Sequence, residues 1–400
     1  MDLIDLSTAE ETNDEQSTLM VWIAIILHML NHMISGAMPM LYPEIMAEFS
    51  LSYSQLGLLR SANTFVTGVP QMFVGYLRRW TSGRMLLGVG NLINSVMNIF
   101  AGMSRGFFQF FGFTILAGIG SSPQHPVGAS VVTSATDPSK RGRMLGLNQS
   151  FPSLAFTFTP LITAYLLTRM GWRPALALLS MPALVFSLIL IFFVRGSSSS
   201  EARTRDGLSW THLREAMRSR NVLSISVLRS VMAFRMGVRT FLPLYFIDIL
   251  GFTAGKSSLL YSILLSGGVL GPFFWGNVSD RMNRKPLIIG ITAMSGLGYF
   301  LLNYVTGFWA LAALLFAIGF MVQTVVVQSV LSDSVERTQL DQIFGFYFTI
   351  GFTIASFSSA LFGYIVEFYG FNWGFTYIAA MTVVSLVPAF FIQEPRTMTS

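Results

Sequence analysis

Twelve apolar runs, each about the 20 residues that a helix needs to cross a bilayer, follow one another along this chain. They lie near 19–43, 55–77, 84–103, 107–134, 144–168, 172–194, 221–247, 257–279, 286–306, 308–332, 342–366 and 372–392. A hydrocarbon core offers backbone N–H and C=O groups no water, so each run must satisfy its own hydrogen bonds as a helix. Composition agrees, with 52% of the 400 residues hydrophobic and 11% charged, against roughly 25% charged in soluble proteins. In water such a chain would expose too much apolar surface. The expected fold is an all-α membrane protein of 12 transmembrane helices in two pseudo-symmetric six-helix bundles.

The longest polar break, Gly196 to Arg220, opens with four serines and carries five arginines. It divides the chain into an acidic lead (1–18), a first bundle (19–195), a basic linker (196–220), a second bundle (221–392) and a short tail (393–400). The lead is expected to be disordered, and Trp210 to Met217 could form a surface helix. Orientation follows from Lys and Arg between the runs. With the N-terminus cytoplasmic, 17 fall inside and 4 outside. Both termini are therefore expected in the cytoplasm of a cell whose inner (plasma) membrane holds the protein. The net charge of +6 is spread between apolar runs and forms no single patch, so no nucleic acid is expected. The absence of cysteine excludes disulfides, thiolate metal sites and cysteine nucleophiles.

A weak internal repeat is visible. Gly75 and Gly276 each open a loop after a run, and Trp172 and Trp373 each precede one; both pairs are 201 residues apart. Duplication is the usual build of transporters, whereas coincidence at glycine-rich helix ends would need two independent matches.

The loop Gly276-Asn-Val-Ser-Asp280-Arg281-Met-Asn-Arg284-Lys285 resembles the signature of the major facilitator superfamily: glycine, three residues, Asp-Arg, then a basic pair. Lys140-Arg-Gly-Arg143 followed by Gly146 resembles the family's loop after helix 4. The resemblance covers nearly the whole chain. It implies a monomeric secondary transporter, with helices 1, 4, 7 and 10 lining the cavity. The matching loop of the first half departs from the signature, with Arg79 where Asp is usual and Trp80 where Arg is usual. The acidic loop Asp333, Glu336 and Asp341 is a natural counterpart for Arg78 and Arg79, and Asp280 for Lys140, Arg141 and Arg143. Such breakable pairs suit a gate; solvated surface charges worth roughly 0–1 kcal/mol each are the plainer alternative. Thr114 stands where many proton-coupled drug exporters of the family carry arginine, and Pro160 stands in a fifth helix poor in the glycines of the antiporter motif. Gln124-His125-Pro126-Val-Gly128 instead resembles the fosmidomycin-resistance-like branch, whose fourth helix carries a His-Pro.

Polar groups inside the runs mark the pathway, because arginine at mid-helix costs about 2.5–3.5 kcal/mol even on insertion scales. The seventh run holds Arg229, Arg235 and Arg239. Arg235 lies about 20 Å along its helix, near the bilayer middle. Arg239 is on the same face, four residues on. A guanidinium pair suits carboxylate, phosphate or sulfonate. Bracing of helix ends is the structural alternative. His28 and His32 share one face of the first helix with Asn31 beside them, and His125 is expected at a similar depth. Asn148, Gln149, Gln323 and Gln328 add polar groups. The solute-binding set is thus Arg235, Arg239, His125, Gln124, His32, Asn31, Gln323 and Gln149. His28, His32, His125 and Glu44 are the candidates for proton coupling; neutral histidines bonding between helices are the equal alternative. His-x-x-x-His has metal-ligand spacing but no acid or cysteine beside it, so neither metal nor cofactor is expected.

The expected function is alternating-access transport of a small organic anion, with protons as the coupling ion to test. The alternatives are proton-coupled efflux of neutral or cationic drugs, and a non-transporting sensor, for which a sizeable output domain would be expected. No nucleophile–base pair or phosphate loop at usable spacing points to an enzyme.

Overall fold

The structure is a computed structural model that describes residues 3–78, 80–137, 140–194, 214, 217–335 and 340–394. Among the described residues every regular element is helical, and each of the twelve apolar runs is found. The first six are α1 (Leu3–Phe49), α2 (53–77), α3 (Gly83–Gly102), α4 (107–134), α5 (Arg141–Met170) and α6 (Trp172–Phe192). The second six are α7 (Arg220–Ile249), α8 (Ala254–Ser279), α9 (Arg284–Leu301), α10 (Phe308–Asp333), α11 (Leu340–Tyr369) and α12 (371–390). Among the described residues, nine of these are long and apolar enough to cross a membrane. The others are α2 and α4, which are interrupted, and α9, which opens on Arg284 and Lys285. The acidic lead was expected to be disordered, but the helix of α1 runs back through it to Leu3.

Helix breaks have local causes. In α2, Pro70 sits in a 3-10 turn, Val69–Phe73; proline has no N–H to continue the ladder. In α4, Phe107–Ser121 stops and the helix restarts as Gln124–Ser134 with Pro123 at its N-cap. In α7 a 3-10 turn, Phe234–Met236, is followed by Pro243 and a π turn, Tyr245–Ile249. In α10 the break falls at Met321, whose ψ is 62°, and the helix resumes at Thr324 without any proline.

Packing divides the chain into two compact units, 1–41 with 66–207, and 42–65 with 208–400. Chain order placed 42–65 in the first bundle, but those residues pack with the second unit. The cause is visible in α2: a Cβ on Gly57 would lie 2.4 Å from the Ser359 carbonyl oxygen of α11. Inside the first unit, Met20, Val21 and Ala24 of α1 pack with Leu87, Val127, Val131 and Leu190. Inside the second, Val222 and Ile225 of α7 pack with Ile288, Val326, Val330 and Ile343.

Lipid is as apolar as leucine, so helices in a bilayer associate largely through close packing at small residues. A Cβ on Gly319 of α10 would stand 2.0 Å from the Leu264 carbonyl oxygen of α8. Backbone cannot yield as a side chain does. Gly319→Ala is therefore expected to destabilise the second unit by about 1–3 kcal/mol, read as a lower melting temperature in detergent. Gly290→Ala, where a Cβ would meet nothing within 4 Å, is expected to leave it unchanged.

Candidate solute and coupling sites

Within the first unit, α1, α3, α4 and α5 build one polar cluster. His28 and His32 are one turn apart on α1, and His125 enters at the first turn after the break in α4. The three ring centroids are 5.0, 5.1 and 5.4 Å apart. Nδ1 of His28 is 3.1 Å from Oδ1 of Asn148 on α5. That oxygen can only accept, so the imidazole is protonated on Nδ1. Its Nε2 is then a lone pair, buried and without a hydrogen-bond partner. Beside the histidines, Asn31 donates to Ser121 Oγ at 2.9 Å, and Asn91 of α3 donates to Gln124 Oε1 at 2.6 Å. Gln124 Nε2 is buried and unbonded.

Two of the candidate residues lie apart from this cluster. Gln149 is exposed; its neighbour Asn148, one step of 100° around the helix, makes the contact to His28. Glu44 belongs to the other unit and lies about 18 Å along α1 from His32 at 1.5 Å per residue, so it is no member of the histidine cluster. Asn91, Asn94 and Asn98 are all buried on α3. Their helical spacing in an apolar run was the signal by which sequence reading could have found this face.

Within the second unit, Arg235 sits in the 3-10 turn of α7. Its NH1 is 3.4 Å from Ser295 Oγ and its NH2 is 3.5 Å from Gln323 Oε1. Both contacts are long and both partners are neutral. Gln323 is fixed by its own donation to Thr292 Oγ1 of α9 at 3.1 Å. Arg229 is occupied differently: its guanidinium lies over the Tyr347 ring, 5.2 Å from the centroid. It is also pressed against Gly351 of α11, where a Cβ would come within 2.3 Å of Nε. Arg239 lies in electrostatic reach of Arg235 and, with Arg60, of Tyr261.

The two clusters repeat one design. Asn91 and Thr292 are 201 residues apart, as are His28 and Arg229, and Gln124 and Gln323 are 199 apart. In each unit, the glutamine at the break of α4 or α10 is held by the residue at the matching place on α3 or α9. Discontinuous helices free backbone groups at mid-membrane and commonly mark binding sites.

The loop charges find partners nearby. Arg284 forms a salt bridge with Asp333 of its own unit. Glu394 accepts from the backbone N–H groups of Arg284 and Lys285 at 3.2 and 2.6 Å, capping α9. Arg78 donates to Ser130 Oγ of α4. Asp280, Arg281 and Arg143 are exposed, and Gly276 lies 3.5 Å, through a Cβ, from Val325. Arg79, Glu336, the linker helix and the side chain of Asp341 lie outside the described residues.

Comparison with known proteins agrees with this architecture. The family model described as Major Facilitator Superfamily matches residues 21–271 and 250–400. A probable sulfoacetate transporter of Cupriavidus necator is 25% identical over 283 residues, covering 64% of this chain and 66% of that protein, just under two thirds of its length. The fosmidomycin resistance protein of Escherichia coli is 23% identical, covering 85% of this chain and 84% of that one. Among solved structures, the nucleoside transporter NupG superposes with a TM-score of 0.79 at 12% identity, over 94% of this chain and 100% of that one. The chain is a multi-pass membrane protein and belongs to the Major Facilitator Superfamily.

Proposed function

We propose that this transporter carries a small organic anion by alternating access and that Arg235 is the group that holds it. The carrying observation is Arg235 itself, a cation in a turn at the middle of α7 whose two contacts are long and neutral. An anion with a planar or trigonal oxygen group would take up the remaining guanidinium donors and offset the cost of a charge at that depth. Gln323, immobilised by Thr292, keeps the guanidinium oriented. The name of one relative specifies sulfoacetate, an anion with two groups of this kind, which supports the same reading.

The test is counterflow in proteoliposomes with a panel of sulfonates, carboxylates, phosphonates and lipophilic cations, with an internal pH dye reading proton movement. Exchange of one or more anions, and none of the cations, is expected. Exchange of cations alone would make multidrug efflux the function and remove the role given to Arg235. Gln323→Leu is expected to raise the KM of the transported anion about 10- to 150-fold, the effect of one lost hydrogen bond to a charged group, with a smaller change in turnover.

A further inference from the structure

We infer that His28, His32 and His125 form a three-imidazole site for a divalent d-block cation of the zinc, cobalt or nickel kind. Sequence spacing supplied two of these ligands; the fold brings in the third from 93 residues away. Metal–nitrogen bonds of about 2.0–2.1 Å at tetrahedral angles hold three coordinated rings with centroids roughly 5 Å apart. The three centroid separations here are 5.0, 5.1 and 5.4 Å. One ring nitrogen from each histidine lies within 4.8 Å of the others. Drawing them to the roughly 3.3 Å of ligands on one tetrahedral ion takes only small side-chain rotations.

The surroundings carry the second argument. A metal-bound histidine ordinarily donates its other ring N–H to a fixed acceptor, which sets the tautomer and aims the ligand lone pair. Asn148 Oδ1 does this for Nδ1 of His28. The opposite nitrogen, Nε2, is buried and has no hydrogen-bond partner, and His28 itself is only 2% exposed. Few buried acceptors in a core packed for stability alone are left unpaired. Three neutral nitrogen donors select borderline d-block ions over calcium or magnesium, which take oxygen. Three protein ligands leave one tetrahedral position for water or a solute oxygen. The inference is independent of which solute Arg235 binds.

The test uses the full chain in detergent, with any affinity tag removed and metal stripped by a chelator, titrated with Co²⁺ and then Zn²⁺. One Co²⁺ per chain with the visible absorption of tetrahedral coordination, displaced by Zn²⁺, is expected. His125→Ala should bind at least 100-fold more weakly, and Asn148→Ala about 10- to 100-fold more weakly through the lost orienting hydrogen bond. Ser150→Ala, at an exposed position of the same helix, should bind as the native chain does. X-ray absorption at the zinc edge of the native protein, which needs no variant, should show three nitrogen neighbours at about 2.0–2.1 Å. Absence of stoichiometric Co²⁺ binding, an all-oxygen shell, or unchanged binding by a folded His125→Ala would each overturn the site.

Discussion

Arg235→Ala is expected to abolish anion counterflow at solute concentrations that saturate the native protein. Removing one partner of a buried, hydrogen-bonded charge pair costs about 2–5 kcal/mol, or roughly 30- to 4,000-fold in affinity. The loss belongs to binding, so it appears first in KM. Arg235→Lys keeps the charge but not the planar fork and should recover part of the affinity for a monoanion and least for a trigonal oxyanion. Arg229→Ala is the informative contrast. Arg229 lies over Tyr347 and against Gly351, so its loss should lower thermal stability more than affinity. Native KM in a folded Arg235→Ala would remove Arg235 from the site and with it the anionic reading.

What the sequence revealed, and what it did not, divides by the range of the interaction. The twelve helices were legible because length and apolarity are local properties, and Arg235 because a charge within such a run is conspicuous. The break of α4 has a local sign in Pro123, but that of α10 at Met321 has none. The choice between Asn148 and Gln149 turns on 100° of helix rotation, which a run without a strong polar face does not define. His125 could be placed at the depth of His28 and His32 from topology, yet the near-equilateral triangle of rings required three-dimensional packing. Sequence could not show that Arg284 reaches Asp333 within its own unit. The cap of α9 by Glu394 joins residues 109 apart in the chain, and no pattern announces it.

Under the proposed alternating-access cycle, the contact between α2 and α11 is the place for a second large effect. At the Tyr53 end of α2, Ala360 N donates to Ser61 Oγ at 2.8 Å and Tyr53 N to Glu367 at 2.8 Å. The Tyr53 hydroxyl donates to Asp248 of α7 at 3.1 Å. Gly363 permits this approach, since a Cβ there would lie 2.4 Å from the Tyr53 carbonyl oxygen. If transport requires these helices to part and meet again, Gly363→Leu holds them apart and stops the cycle. The chain has no cysteine, so a Ser61→Cys probe, at a position now only 7% exposed, reports the contact cleanly. In the native background it should react slowly with a thiol reagent. With Gly363→Leu it should react more than 10-fold faster while counterflow falls at least 10-fold. A static bundle would instead lose stability without selective exposure, and Gly319→Ala controls for that, because it loosens α8 against α10 and should leave the Ser61→Cys probe protected. Full transport with a protected probe in Gly363→Leu would mean that α2 and α11 do not separate during the cycle.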